Sequence, residues 1–265
     1  MSNRYRVIRP KKRHGARCIP AGNNLVELKA WPRFAVHTSE VLHPMKDIQK
    51  FIAGFRNFRN EYFCREDAPF EHLCKGQNPT TMVIACSDSR TDPSFIMQCE
   101  PGEIFVIRNV ANIVPPYECD TGFHGVSSAI EYAVKVLKVD NIIVLGHSLC
   151  GGIDALMHDD AVRHTEFLFK WLSVMSPVRD EVVDHFGEVS KKSCTACEMA
   201  GILRSVQNLM TFPWIKERLD EGTLSLHGWY FEMKSGQLLS YTPQTKTFEP
   251  LTVAGPHPRK EDASE

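Results

Sequence analysis

The chain has no surplus of charge of either sign. Its 31 Lys and Arg face 32 Asp and Glu, a formal net charge of −1 over 265 residues, so the broad basic field that draws proteins to nucleic acid is missing. No apolar run approaches the ~20 residues needed to span a bilayer. The first residues hold no apolar signal core, so secretion is not expected. Cysteine is too thinly spread for a disulfide framework: nine Cys, an odd number, are scattered through a large chain, whereas such frameworks are dense and belong to small secreted domains. A reducing, cytoplasmic setting follows as the expectation, with most thiols acting as small buried hydrophobes and a few kept for metal or reactivity. Internal repeats and low-complexity linkers are also absent.

What is present reads as an ordinary globular protein, 43% hydrophobic and 24% charged. Residues 1–44 stand apart. Their first 20 residues carry seven Lys or Arg and no acid, without helical or strand periodicity. They read as a basic extension: a solvated tail, a docking arm for an acidic protein partner, or a tether into a larger assembly or organelle. A mitochondrial presequence fits the composition, but no apolar helical face forms there. From Pro44 onward, Ile48, Phe51, Ile52, Phe55, Phe58 and Tyr62 recur at spacings of three and four, an amphipathic helix. Three short runs follow, "TMVIAC" (81–86), "EIFVIRN" (103–109) and "NIIVLGH" (141–147). They are continuously apolar and rich in Val and Ile, as strands covered on both faces are. Between the last two, Val126, Ala129, Ile130, Ala133, Val134 and Leu137 form one helical stripe over 125–139, giving a strand–helix–strand crossover. Residues 165–175 and 200–212 read as further helices. Two extended segments flank a tight turn near Ser235–Gly236. The expectation is one α/β domain over residues 45–250, a mostly parallel central sheet flanked by helices, followed by a polar tail at 251–265.

The chemistry gathers at two strand ends. "ACSDSR" puts Cys86, Asp88 and Arg90 at alternate positions, which share a side if the chain stays extended. "HSLCGG" puts His147 and Cys150 just past the next apolar run. Ligands in parallel sheets collect beyond the carboxyl ends of strands, so Cys86, His147 and Cys150 are expected to meet. Two thiolates and an imidazole suit zinc, and three protein ligands leave a fourth tetrahedral position open, as catalytic sites do. Gly151 and Gly152 would let backbone come close. Zinc held by two thiolates is formally neutral and acidifies water less than zinc on three imidazoles. Asp88 would orient the water and Arg90 would keep Asp88 ionised. The competing reading is ordinary core cysteines beside a surface ion pair.

These segments, with "PGEIFVIRNVANIVPPY", "AIEYAVKVLKVDNIIVLGHSLCGGI" and "LHGWYFEMKSGQL", resemble the β-class carbonic anhydrases over most of residues 45–245, and "RNVAN" with "VPPY" leans toward their plant-like branch. The resemblance implies one zinc per chain on Cys86, His147 and Cys150, with Asp88 and Arg90 as the catalytic pair. It implies reversible hydration of CO2 to bicarbonate and a proton by a zinc-bound hydroxide. Gln77, Phe105, Val110, Tyr132 and the backbone of Gly151 match the family's substrate surroundings. It further implies a homodimer or higher homo-oligomer, with each site completed across a dimer interface. Taken alone, Phe105 and Tyr132 would pass for core aromatics and Gln77 for a loop amide. Two features depart from the family: residues 1–44, and "CTAC" (194–197), which reads as free thiols at a helix start, a redox pair or half a zinc knuckle lacking its second pair. Two other functions stay open at this point: hydrolysis of CS2 or COS on the same scaffold, and a non-catalytic protein with structural zinc, which would need neither Asp88 nor Arg90.

Overall fold

A computed structural model describes residues 46–64, 70–120, 122–158 and 162–251. The basic extension at 1–44 and all but the first residue of the polar tail lie outside the described residues. The chain divides into two compact units, Met1–Gly76 and Gln77–Glu265. In the first, helices α1 (Lys46–Tyr62) and α2 (Phe70–Leu73) are described. Phe58 packs on Tyr62 and Phe70 at ring-centroid distances of 4.8 and 5.6 Å, while Ile48, Phe51, Ile52 and Phe55 of the expected stripe remain exposed.

The second unit follows the order β1 (Thr81–Cys86), α3 (Pro93–Met97), β2 (Ile104–Asn109), α4 (Gly125–Glu131), β3 (Asn141–His147), α5 (Gly151–His158), α6 (Leu168–Leu172), α7 (Ser176–Phe186), α8 (Lys191–Leu209), α9 (Pro213–Asp220), β4 (Ser225–Glu232), β5 (Gln237–Thr242) and β6 (Thr247–Pro250). The strands form one six-stranded sheet in the order β2-β1-β3-β4-β5-β6. The β2/β1, β1/β3 and β3/β4 pairs are parallel, and the last two pairs are antiparallel. The mostly parallel α/β sheet expected from the sequence is therefore present. The chain crosses over β1 on its way from β2 to β3, so the two runs joined by the 125–139 helix are not neighbours.

Continuous apolarity in β1 and β3 has a direct cause. Met82, Ile84, Ile142 and Val144 pack into one core with Ile130, Val134, Ile202 and Leu209. The alternate residues Val83, Ala85, Ile143 and Leu145 pack on the opposite face with Met97, Trp229 and Phe231. Each such side chain contributes roughly 1.5–3 kcal/mol over leaving it in water. β2 departs from the two-faced expectation, being half-buried along its whole length because it is the edge strand. The helix expected over 125–139 changes character midway: Tyr132–Leu137 is a π segment, closed by Lys138 in the left-handed region. Arg218 of α9 ties this end down, donating to the carbonyls of Val139 at 2.8 Å and Thr223 at 2.6 Å. Residues 165–175 hold only the short α6 and a 3-10 turn. The helix expected at 200–212 begins earlier, at Lys191, where Ser190 and Ser193 make a reciprocal cap.

Helix α8 reaches the sheet through two glycines. A Cβ at Gly146 would stand 2.6 Å from Ile202 Cγ1, and one at Gly228 would stand 3.0 Å from Ile202 Cγ2. These strand positions are bare because a helix side chain fills the space. Gly146→Ala is expected to cost about 1–3 kcal/mol by overpacking, read as a lower urea midpoint of the zinc-loaded protein. Adding Ile202→Val should recover part of that loss, and strictly additive effects would refute the contact.

Candidate metal centre

β1 and β3 pair in parallel with Ala85 opposite Leu145, so both chains turn off the sheet at the same edge. Cys86 ends β1 and His147 ends β3. Cys150 follows a turn through Ser148 and Leu149, just before α5. The ligand atoms of Cys86, His147 and Cys150 lie within 4.8 Å of one another, and no other such group of His, Cys, Asp or Glu occurs among the described residues. The three are 5%, 2% and 1% exposed.

The donor set fits zinc on two counts. The sulfurs are 3.9 Å apart, and two sulfurs bound at ~2.3 Å around a tetrahedral ion stand about 3.8 Å apart. The imidazole is aimed for ligation: Nδ1 meets the Ser148 carbonyl at 2.9 Å, while Nε2 is buried without any hydrogen-bond partner. A bare buried ring nitrogen is costly unless something binds it. The backbone amides of Asp88 and Ala111 lower the proton affinity of Cys86, and those of Gly152 and Ile153 lower that of Cys150. These favour thiolates.

Proton affinities follow from the crowding. The Cys150 thiol hydrogen-bonds Cys86 and, against the cost of burial, holds the Cys86 thiol down at about 4. Cys150 is pushed far upward by that same thiolate and by burial. Burial opposes an imidazolium at His147, but the adjacent Cys86 thiolate, the Ser148 carbonyl and the Asp88 carboxylate outweigh it and raise its proton affinity.

Asp88 and Arg90 sit in the turn after β1. The extended alternation expected there does not continue: the strand ends at Cys86 and the chain folds into a turn. The turn itself makes the pair. The Arg90 backbone N–H donates to Asp88 Oδ1 at 2.9 Å, and its guanidinium donates to Oδ1 at 2.9 Å and Oδ2 at 2.7 Å. Arg90 thereby holds the Asp88 carboxyl far below the usual carboxylate range. Arg90 Nη2 also donates to the Leu149 carbonyl at 3.0 Å, joining the turn after β1 to the turn after β3.

The remaining sequence-expected residues are spread out. Val110 opens the turn that carries Ala111, and its carbonyl accepts the Trp171 indole N–H at 2.9 Å. Gly152 is bare for a reason, since a Cβ there would meet Val110 Cγ1 at 2.8 Å. Gly151 has open space around it, so packing within the chain does not require glycine there. Phe105 and Tyr132 touch each other, with centroids 5.8 Å apart. They stand away from the ligands, because Phe105 pairs with Met82, four residues and roughly 13 Å along β1 from Cys86. Tyr132 is 43% exposed, and Gln77 lies exposed in the loop before β1. Cys194 and Cys197 are free thiols in the first turns of α8. Burial raises both, Cys197 to about 12, so neither is an activated nucleophile.

Three bracing groups escaped the sequence reading. Arg108 donates to the Cys86 carbonyl at 2.9 Å, the Asp88 carbonyl at 2.6 Å and Asp92 at 2.9 Å. Its signal was a lone cation inside an apolar strand. Asn109 brackets the next turn, accepting from Ile113 N–H and donating to the Ile113 carbonyl. Glu198 of α8, 6% exposed, accepts from the Cys150 backbone N–H at 3.0 Å and from the Tyr230 hydroxyl at 2.7 Å. Burial raises its carboxyl, only partly countered by those donors.

Comparison with known proteins agrees with this geometry. The family profile for carbonic anhydrase matches residues 81–238. A carbonic anhydrase of Synechocystis is 37% identical over 223 residues, 80% of this chain and 81% of the relative. The solved structure of the β-carbonic anhydrase CcaA superposes with a TM-score of 0.73 at 37% identity, covering 77% of this chain and 99% of that one. One of two tetrameric β-carbonic anhydrases from the ascomycete Sordaria macrospora gives a TM-score of 0.60 at 32% identity, covering 73% and 93%. This chain therefore belongs to the β-class carbonic anhydrases, zinc lyases that interconvert carbon dioxide and bicarbonate.

Proposed function

We propose that this chain hydrates carbon dioxide reversibly at the Cys86–His147–Cys150 centre, with Asp88 orienting the attacking water and Arg90 fixing Asp88. The observation that carries the reading is the unpartnered, buried Nε2 of His147 facing two sulfurs 3.9 Å apart. Zinc, when bound, supplies the Lewis acidity that makes water nucleophilic near neutral pH. The chain's own residues do the rest. The Asp88 carboxylate receives only Arg90 donors, and a carboxylate has about four acceptor sites, so room remains for a hydrogen bond from water. Because Arg90 holds it anionic, Asp88 accepts that bond without taking the proton. Structural zinc would have no use for this pair, which disfavours the non-catalytic reading.

The substrate wall belongs to the same proposal: Gln77, Phe105, Val110, Tyr132 and the Gly151 backbone. Within one chain Phe105 and Tyr132 are too far along the strand to touch substrate at Cys86. Supplied by a second copy, they complete an apolar wall for an uncharged substrate. The exposed Tyr132 and Val136, and the exposed apolar side chains of α1, support a homo-oligomer, in line with the tetrameric relative. A compartment that keeps thiols reduced, the cytoplasm, suits a centre whose two sulfurs must stay reduced. Residues 1–44 remain proposed as a partner-binding or tethering extension of the 45–250 domain.

Rates of CO2 hydration followed with a pH indicator test the reading. Cys86→Ser should lose zinc and fall to the buffer rate. Asp88→Asn should keep its zinc and lose about 10–100-fold in kcat/KM. Wild-type protein holding one zinc per chain with no rate above buffer ends the proposal. Zinc uptake also has a proton signature. At pH 7 Cys86 and Cys150 hold one proton between them, so binding should release about one proton from the pair plus a share from His147. Apparent affinity should rise with pH, and titration calorimetry in buffers of different ionisation heat measures it. Tyr132→Glu should lower the mass by light scattering and abolish activity while zinc stays bound.

A further inference from the structure

We infer that Glu198 is a positioning residue for the metal centre, holding the Leu149–Cys150 turn in the conformation that presents the Cys150 sulfur to Cys86 and His147. The inference rests on reading those three residues as the zinc site. The turn needs an anchor, because Leu149 is held at φ 58°, a left-handed conformation that a leucine does not adopt by preference. Packing does not supply that anchor from behind. Leu149, Cys150, Gly151 and Glu198 line a cavity of about 430 Å³, so on that side the turn faces open space. What reaches across is the Glu198 carboxylate. One oxygen takes the Cys150 N–H at 3.0 Å, and the other takes the Tyr230 hydroxyl at 2.7 Å.

The contact joins three separate pieces: the turn after β3, the second turn of α8, and β4 through Tyr230. Each converging group is a donor, so an acceptor of the right reach is what the geometry demands. Glutamine at 198 keeps both reach and one acceptor oxygen, with the Tyr230 hydroxyl free to reverse and accept from the amide. Aspartate keeps the charge but is one methylene short. Alanine removes both acceptors and leaves the turn held only from the Arg90 side. Reach and acceptor, rather than charge alone, should therefore decide how tightly the metal is held.

The test uses full-length zinc-loaded wild type, Glu198→Ala, Glu198→Asp and Glu198→Gln, with Leu209→Ala as a remote core control. Zinc release to a coloured chelator is timed, and the thiolate-to-cobalt bands of cobalt-substituted protein are recorded. Glu198→Ala and Glu198→Asp are expected to release zinc about 10–100-fold faster with shifted cobalt bands, and Glu198→Gln to stay near wild type. If Glu198→Ala does not fold, the Asp and Gln variants decide alone. Release at the wild-type rate from Glu198→Asp with unmoved bands overturns the inference, as does equal acceleration by Leu209→Ala at a matched loss of stability. A wild-type chain that holds no zinc defeats the metal-site reading instead, and does so before any variant is compared.

Discussion

Two sulfurs 3.9 Å apart in a site almost closed to water cannot both be thiolates unless a cation lies between them. Without one they must share a proton, which is why Cys86 and Cys150 are driven in opposite directions. A divalent ion removes the conflict at once, since two thiolates and a neutral imidazole leave it with no net charge. The arrangement is therefore unfavourable by itself and favourable with metal, and the surrounding structure exists to hold the sulfurs in place whichever state they are in.

That holding is done almost entirely from outside the ligands. Parallel pairing of β1 and β3 fixes where the two turns leave the sheet, but a turn beyond a strand end is the least constrained part of such a fold. Left-handed residues without glycine stand in the turn after β3, at Leu149, and in the turn after β2, at Ala111 and Asn112. Conformations of this kind persist only where neighbours over-determine them. Asn109 holds the turn after β2, Arg90 and Glu198 hold the turn after β3, and Arg108 of β2 holds the turn after β1, each through backbone atoms. Further along, Ser205 and Asn208 of α8 pin the chain after β2 through Val114, whose N–H and carbonyl they bind at 3.1 and 2.7 Å. Helix α8 thus braces the chain after β2 and the turn after β3, and also seats on the sheet at Gly146 and Gly228.

The legible part of this design was what composition forces. Strands buried on two faces must be apolar throughout, so "TMVIA" and "IIVLG" announced themselves, and residues that break such runs at their carboxyl ends stood out as candidates. The geometry of the turns was not legible. Asp88 and Arg90 come together through a turn rather than an extended strand, and alternate spacing pointed to the pair for the wrong reason. Glu198 was hidden because an acid on a helix ordinarily faces solvent, and only the third dimension shows donors converging on it. The π segment at Tyr132–Leu137 was likewise not legible, because the apolar stripe stays on the core through it, from Val126 and Ile130 to Ala133, Val134 and Leu137. The placement of Phe105 could not be read either, since matching residues to a substrate wall says nothing about which chain supplies them.

In the mechanism proposed above, the two turns also divide the chemical work. A group that is to orient water must accept a hydrogen bond in every cycle, and a strong base would tend to keep the proton instead. Arg90 lowers the basicity of Asp88 by binding both of its oxygens, so Asp88 stays anionic far into acid and accepts without capturing. It follows that any activity change near neutral pH cannot come from titrating Asp88. The proton released in hydration is therefore not taken up by Asp88. The same guanidinium that disarms Asp88 as a base spans to the Leu149 carbonyl. The orienting group and the Cys150 ligand are thereby set by one side chain, and a shift of either turn would disturb both together.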